Sequence, residues 1–466
     1  MISRRTALIA GGTSLAVVGG GAVAVGVANR DKPEPPAPAS TQDGKVLWRN
    51  WSGIQHSYPA QRLAPKDEGE LAAMIRTATA PVRVVGSGHS FTPLIPTSGA
   101  LLTLDAMSGI DSWDGDSPTV WAGTRLGALG PALAAKGRAM ANLPDINKQS
   151  LGGALGTATH GTGVGLKAMH GDVTALTLVT AGGQVIAADP SIRADVFEAA
   201  KVSLGALGVI TRVKLTTTPN RRLRRTVWVE PFEESLAKAE ERWKAHRNFE
   251  FYAVPFTGLA ANISHDETNE PARARGPDQD TVLLDALKTL RNLLGFSAGM
   301  RKAAAKTLLG GIDPEVAVDE GWKLLSTERP VRFNEMEYHL PAEVHLKVLK
   351  EVVAVIEVER PDVFFPIEVR RIAPDDAWLS PFQGGARGSI AVHAHYKDDY
   401  RLLFERIEPI FQRHGGRPHW GKLHSLRGAR LAALYPRWGD FLEVRRELDP
   451  EGRLLNPYLR ELFGVG

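Results

Sequence analysis

The chain has 466 residues, 43% of them hydrophobic and 23% charged, an ordinary globular composition on a chain too long for one core, so two domains are expected. Its 56 basic and 52 acidic residues are interspersed and leave a formal charge of +4, which argues against a nucleic-acid groove; the one basic run, Arg221-Arg222-Leu223-Arg224-Arg225, reads as a solvated strand or loop. The absence of cysteine excludes disulfides, iron–sulfur clusters, thiolate zinc sites, cysteine nucleophiles and a lipoprotein anchor, so any cofactor is held by other side chains.

Residues 1–29 read as an export signal. Ser3-Arg4-Arg5-Thr6-Ala7-Leu8 resembles a twin-arginine pattern, with Ala7 where a bulkier residue is usual, and Ala7 to Ala28 carries no charge. At about 22 residues this apolar stretch also suffices to span a bilayer if it is not cut, giving either a secreted or a membrane-anchored protein. Residues 30–44, rich in Pro, Ala and polar side chains, read as a linker.

The first domain is expected over 45–220. Glu68 to Thr79 has helical periodicity. Strand Val82–Val85 then runs into Gly86-Ser87-Gly88-His89-Ser90-Phe91, a turn whose glycines bare backbone N–H groups of the kind a phosphate needs. A lone G-x-G also fits a plain connecting turn. Strands are expected at Leu101–Leu104 and Thr119–Ala122, and a helix from Leu126 to Gly137. Leu151 to Gly163 holds five glycines in thirteen residues; it reads as non-helical backbone that lets a large flat or polyanionic ligand approach closely. Strands Thr177–Thr180 and Gln184–Ala187 flank the hairpin signal Ala181-Gly182-Gly183, and strand Thr211–Leu215 ends the domain.

The second domain is expected over 221–466. Val227, Val229 and Phe249 to Val254 suggest a second sheet, with a helix from Phe232 to His246 and a loose polar loop from His265 to Asp280. Val282 to Leu294 repeats leucine at helical spacing, either as a membrane-surface helix or as part of a helical insertion, about 265–320, packed on this domain. Farther on, Glu368 and Arg370 stand two apart, hence on one face of a strand, as do His393 and His395. Phe333 to Tyr338 is an acidic strand, and Pro418-His419-Trp420-Gly421-Lys422 adds a histidine and a lysine. Glu368 and Arg370 alone would equally make a structural ion pair. His-x-His on a strand can present two imidazoles to a metal, but no carboxylate and third histidine follow at a recognisable spacing, so no metal is expected.

Taken in order, Trp48-Arg49-Asn50-Trp51-Ser52-Gly53, Gly86-Ser87-Gly88-His89-Ser90-Phe91, Thr159-His160-Gly161-Thr162-Gly163, Asn334-Glu335-Met336-Glu337-Tyr338, Glu368-Val369-Arg370, His419-Trp420-Gly421-Lys422, Leu448 to Arg453 and Asn456-Pro457-Tyr458 resemble the flavin-dependent aldonolactone oxidase and alditol oxidase family, within the vanillyl-alcohol-oxidase-like group. The resemblance implies an α+β, two-domain FAD-binding fold with a C-terminal sheet-based substrate (cap) domain whose last segment returns to the flavin. It implies that Val85, Gly86, Ser87, Gly88, His89, Ser90 and Phe91 wrap the pyrophosphate and that His89 carries FAD covalently through the 8α-methyl group. Ser150, Gly153, Thr157, His160, Gly161, Thr162 and Gly163 would line the cofactor, with Ile210 on the adenine side. Glu368, Arg370, His393 and Lys422 match the catalytic positions. Ser150, Glu368, Arg370, His395 and Lys422 would touch substrate, His395 standing where a smaller hydroxyl residue is usual.

The chemistry agrees with this set. Oxidising an alcohol carbon sends hydride to flavin N5 while a proton leaves the oxygen. A carboxylate or imidazole takes that proton, and cations steady the developing alkoxide. Glu368 and His393 fit the first role, Arg370 and Lys422 the second. The expected substrate is a sugar-derived 1,4-lactone of the D-arabinono-1,4-lactone type or an alditol, with molecular oxygen or another electron acceptor regenerating the flavin. Two rivals make other demands. A surface-anchored flavin-binding protein would hold flavin that no polyol or lactone bleaches. A metal-dependent hydrolase built on His393 and His395 would be colourless and chelator-sensitive.

Overall fold

The structure, a computed structural model, describes Glu34 and residues 36–276, 279–309, 312–328 and 331–465. The twin-arginine stretch and the start of the linker lie outside the described residues.

The first part of the chain builds two small sheets. Strands Gln61–Leu63 (β1), Val82–Val85 (β2) and Ala100–Thr103 (β3) pair in parallel with β3 in the centre. Helix Glu68–Thr77 (α1) is capped by Asp67, whose carboxylate accepts from Glu70 N–H at 2.7 Å, and it buries Leu71 and Ile75. Strands Ile110–Asp114 (β4), Ser117–Trp121 (β5), Val173–Val179 (β6), Val185–Ala188 (β7) and Val209–Leu215 (β8) form an antiparallel sheet in the order β7-β6-β8-β5-β4. The β6–β7 hairpin turns at the expected glycines. Helix Leu126–Ala134 (α2) follows β5, and a second helix, Leu151–Gly156 (α3), corrects the reading of the glycine-rich segment as non-helical. Ser150 caps it by accepting from Gly153 N–H at 3.3 Å, and burial of Leu151, Ala154 and Leu155 offsets the glycines' poor propensity.

The second part is one eight-stranded antiparallel sheet. Its strands are Arg222–Pro231 (β9), Asn248–Val254 (β10), Leu259–Glu267 (β11), Glu315–Glu320 (β12), Phe333–Pro341 (β13), Ile367–Ile372 (β14), Arg387–His395 (β15) and Arg417–Pro418 (β16), ordered β12-β9-β11-β10-β14-β15-β13-β16. Two expectations change here. Arg222 to Arg225 belong to β9, and Arg225 is buried, so the basic run is not simply solvated. The loop expected from His265 is still strand to Glu267, because Leu223 to Pro231 pairs with it residue for residue.

Helices Phe232–Ala245 (α4) and His345–Glu359 (α7) pack on the sheet; Trp243 of α4 lies against Phe249 and Phe251 of β10. Between them in sequence, Gln279–Leu294 (α5) and Ala298–Leu309 (α6) form a hairpin. Leu287, Leu290, Ala305 and Leu309 bury against Val254, Leu259, Phe364 and Phe365, which places α5 as an insertion packed on the sheet. No helix among the described residues is long and apolar enough to cross a membrane. The C-terminal segment comes back to the first part: Val82 N–H donates to Arg453 O at 2.8 Å, and the Asn456 amide donates to the carbonyls of Pro93 and Pro96, each at 2.9 Å.

Candidate active site

A cavity of about 1250 Å³ lies between the β2 turn, α3 and one face of the large sheet. Its first wall is a backbone cradle. Buried Arg83 on β2 donates to Leu94 O at 2.8 Å and Leu204 O at 2.7 Å, fixing the strand that delivers the turn. Gly88 adopts φ +68°, a conformation costly for residues with a Cβ, and its carbonyl accepts from Trp51 N–H at 2.8 Å. Trp51 thereby stacks on the His89 ring, centroids 5.0 Å apart. A Cβ on Gly86 would lie 2.1 Å from Ser150 Oγ, so the turn and the cap of α3 touch only because Gly86 has no side chain. The N–H groups of Ser87, Gly88, His89 and Ser90 donate to no acceptor among the described residues, while Phe91 N–H donates to Gly421 O at 2.7 Å. Free amides in a turn that a Cβ would close fit the pyrophosphate of a dinucleotide. Burial, helped by Lys422, Arg125 and Lys148, pushes the His89 pKa down to about 4, so its imidazole is neutral.

The opposite wall is polar. Cross-strand pairing sets Tyr252 beside Glu368, Glu368 beside Ala391, and Glu335 beside His393. Arg370 donates to Glu337 at 2.8 Å and lies 3.3 Å from Glu368. Burial would raise the Glu337 pKa, but Arg370 above all, with His160 at 3.0 Å, outweighs it and holds this carboxyl well below the usual range. Glu368 goes the other way. Burial raises its pKa well above the usual range, Asp145 and Glu250 add to that, and Arg370 only partly opposes it. His393 Nδ1 lies 3.1 Å from Pro366 O, a bond that requires the proton on Nδ1 and leaves Nε2 a free lone pair. Burial lowers the His393 pKa, so the ring is neutral; Glu335 stands 3.7 Å from Nε2 and is itself ion-paired to Lys422.

Residues 213–462 match the family model described as D-arabinono-1,4-lactone oxidase. The chain belongs to the D-arabinono-1,4-lactone oxidase family. Residues 59–189 match the FAD binding domain model, a span that contains the cradle, so the cofactor is FAD. The chain is 35% identical over 430 residues to L-gulono-1,4-lactone dehydrogenase of Mycobacterium tuberculosis, covering 90% of this chain and 99% of that one. It is 29% identical over 427 residues to alditol oxidase of a Streptomyces species, covering 89% and 98%. Cholesterol oxidase of Brevibacterium sterolicum shares the fold, with a TM-score of 0.71 at 17% identity over 93% of this chain and 100% of that one.

Within this family fold, Val85 to Phe91, Ser150, Gly153, Thr157, His160, Ile210, Glu368, Arg370, His393 and Lys422 all line the cavity. Four expected residues do not. Gly161, Thr162 and Gly163 turn into the seam between the two parts: a Cβ on Gly161 would meet Asn142 and Leu143, Thr162 donates to Phe249 O at 2.7 Å, and Gly163 N–H donates to Arg371 O at 2.7 Å. His395 packs among Phe364, Phe365 and Tyr396 and reaches neither the cavity nor any cluster of potential metal ligands among the described residues. His393 instead groups with Glu335 and Glu368, without His395. Glu335, Glu337 and His419, from the acidic strand and the His-Trp-Gly-Lys stretch, line the cavity although no site role was expected of them, and Asp145 and Tyr252 join them unexpected. The two-residue spacing of Glu335 and Glu337 is their signal in sequence; Tyr252 required the pairing register and Asp145 the approach of its loop to Tyr252.

Proposed function

We propose that the protein is an exported, FAD-dependent oxidoreductase that oxidises a CH–OH group of a sugar-derived 1,4-lactone, with His393 Nε2 as the proton acceptor. The observation that carries the role of His393 is its fixed tautomer: Nδ1 is committed to Pro366 O, and the free Nε2 shares the cavity with the FAD cradle. Bound FAD supplies the hydride acceptor. The residues of the chain do the rest. His393 takes the hydroxyl proton, and Glu335 balances the imidazolium that results. Arg370 and Lys422 bring positive charge to the same wall to steady the developing alkoxide. Neutral Glu368, hydrogen-bonded to Asp145, does not compete for the substrate's proton. His89 is the covalent tether in this reading. It is neutral, hence nucleophilic, and Trp51 holds it in the cradle. Export rests on Arg4-Arg5 and the apolar run after them.

The lactone reading is supported by the family description and by the 35% identical lactone dehydrogenase. The alditol oxidase relative keeps polyols as the second reading. Anaerobic titration with L-gulono-1,4-lactone and with xylitol separates them: bleaching of the flavin by the lactone alone is expected, and bleaching by xylitol alone would move the protein to the alditol branch.

A further inference from the structure

The sheet face that carries Glu368 changes character along one row of paired residues. Across β13, β15, β14, β10, β11 and β9 the row reads Glu337, Ala391, Glu368, Tyr252, Ala261, Val229. Beyond Tyr252 the cavity continues as an apolar limb. Val227, Val229, Ala261 and Ile263 form its floor, Leu283 and Leu284 of α5 face them, and the Arg225–Glu315 ion pair borders the floor beside Val227. The floor and the two leucines over it carry no hydrogen-bonding side chain. The limb ends at Val282, Leu308 and Ile312, which line the cavity and are also 51%, 39% and 45% exposed. Phe296 and Met300, on the same hairpin, are 57% and 52% exposed.

The cavity's 1250 Å³ exceeds the roughly 300–1,000 Å³ usual for one small ligand, as a site shared by more than one molecule requires. Over the apolar floor between Tyr252 and α5 a lactone's hydroxyls would lose water without replacement partners. The limb therefore suits a different, apolar molecule, and its inner end meets the wall where the substrate is oxidised. We propose that it binds a lipid-soluble quinone as the electron acceptor, with the ring toward Tyr252 and the isoprenoid tail leaving between Val282, Leu308 and Ile312. The assignment rests on the function proposed above. The balance is simple: the substrate's CH–OH becomes C=O, its two electrons pass through the flavin, and these with two protons turn both quinone carbonyls into hydroxyls. No quinone atom enters the product.

The test uses flavin-loaded enzyme, a ubiquinone with a single isoprene unit, and ferricyanide as an ionic control acceptor. Calorimetry reads quinone binding; stopped-flow mixing reads reoxidation of lactone-reduced enzyme. Val229→Phe fills the limb and is expected to weaken quinone binding and slow quinone reoxidation by about tenfold or more. Bleaching by lactone and reoxidation by ferricyanide stay within about twofold, since these need only the polar wall. If Val229→Phe fails to retain flavin, Leu308→Glu on the exposed rim replaces it and is expected to act the same way. Absence of saturable quinone binding to the wild-type enzyme, wild-type binding by the variants, or equal affinity for decanol would overturn the proposal. Absence of bleaching by lactone would instead sink the function on which it rests, while calorimetry still reads the limb.

Discussion

Tyr252 sets its hydroxyl between two carboxyl groups, donating to Glu368 Oε1 at 2.8 Å and lying 3.2 Å from Asp145 Oδ2. Carboxyl oxygens of Asp145, Glu250 and Glu368 all come within 4.8 Å of one another in a buried site, so the three cannot all be ionised. Glu368, raised in pKa, keeps its proton.

Stability should record that proton. The folded state holds it above the pH at which the unfolded chain releases it, so Glu368 makes stability fall as pH rises, by about 1.4 kcal/mol per unit at most. Glu368→Gln removes this dependence. Its melting temperature relative to wild type is expected to rise as pH increases above the ordinary glutamate range near 4.3, as calorimetric scans would show. A difference independent of pH would mean that Glu368 is ionised.

Arg370 should behave oppositely. It is the cation that lets Glu337 stay charged in full burial. Arg370→Met leaves that carboxylate unpaired and is expected to cost about 3–5 kcal/mol in urea unfolding. Adding Glu337→Gln should recover part of the loss.

The buried histidines predict acid sensitivity. His265, His345 and His424 are each pushed down to about 3 by burial. Between that value and the unfolded pKa near 6.5 only the unfolded chain takes up their protons, so stability is intact above pH 6.5 and drains away below it. Circular dichroism melts at stepped pH should show the melting temperature falling from about pH 6.5 downward.

The cradle gives two separable outcomes. His89→Ala should keep FAD in the turn but release it into the supernatant on acid precipitation, since the amides of Ser87 to Ser90 are untouched. Gly86→Ala should lose FAD itself, weakening binding by about tenfold or more, because the new Cβ drives into Ser150. Acid-stable flavin on His89→Ala would refute the tether.

Much of this was legible in the chain. The strand into Gly86-Ser87-Gly88-His89, the two-residue spacing of Glu368 and Arg370, and the Val282–Leu294 periodicity report local geometry, which sequence encodes directly. Ser150 shows where that stops: one capping hydroxyl and three buried side chains turned a glycine-rich segment into a helix. Tyr252 was silent because its meaning lies in register, a property of which strand pairs with which, and Asp145 because a loop from the first part meets that strand only in the folded chain. Gly161 to Gly163 look like a ligand loop in sequence, yet the close approach their small size permits is to Asn142, Leu143 and Arg371.

The most direct test of the account is the rate of flavin reduction by saturating L-gulono-1,4-lactone, followed by anaerobic stopped flow in wild type and His393→Ala. With flavin content equal, the variant is expected to be slower by about 10²–10⁴-fold, and the wild-type rate should fall only at pH below the ordinary histidine range, because burial lowers the His393 pKa. A His393→Ala enzyme that reduces its flavin at the wild-type rate would contradict the assignment.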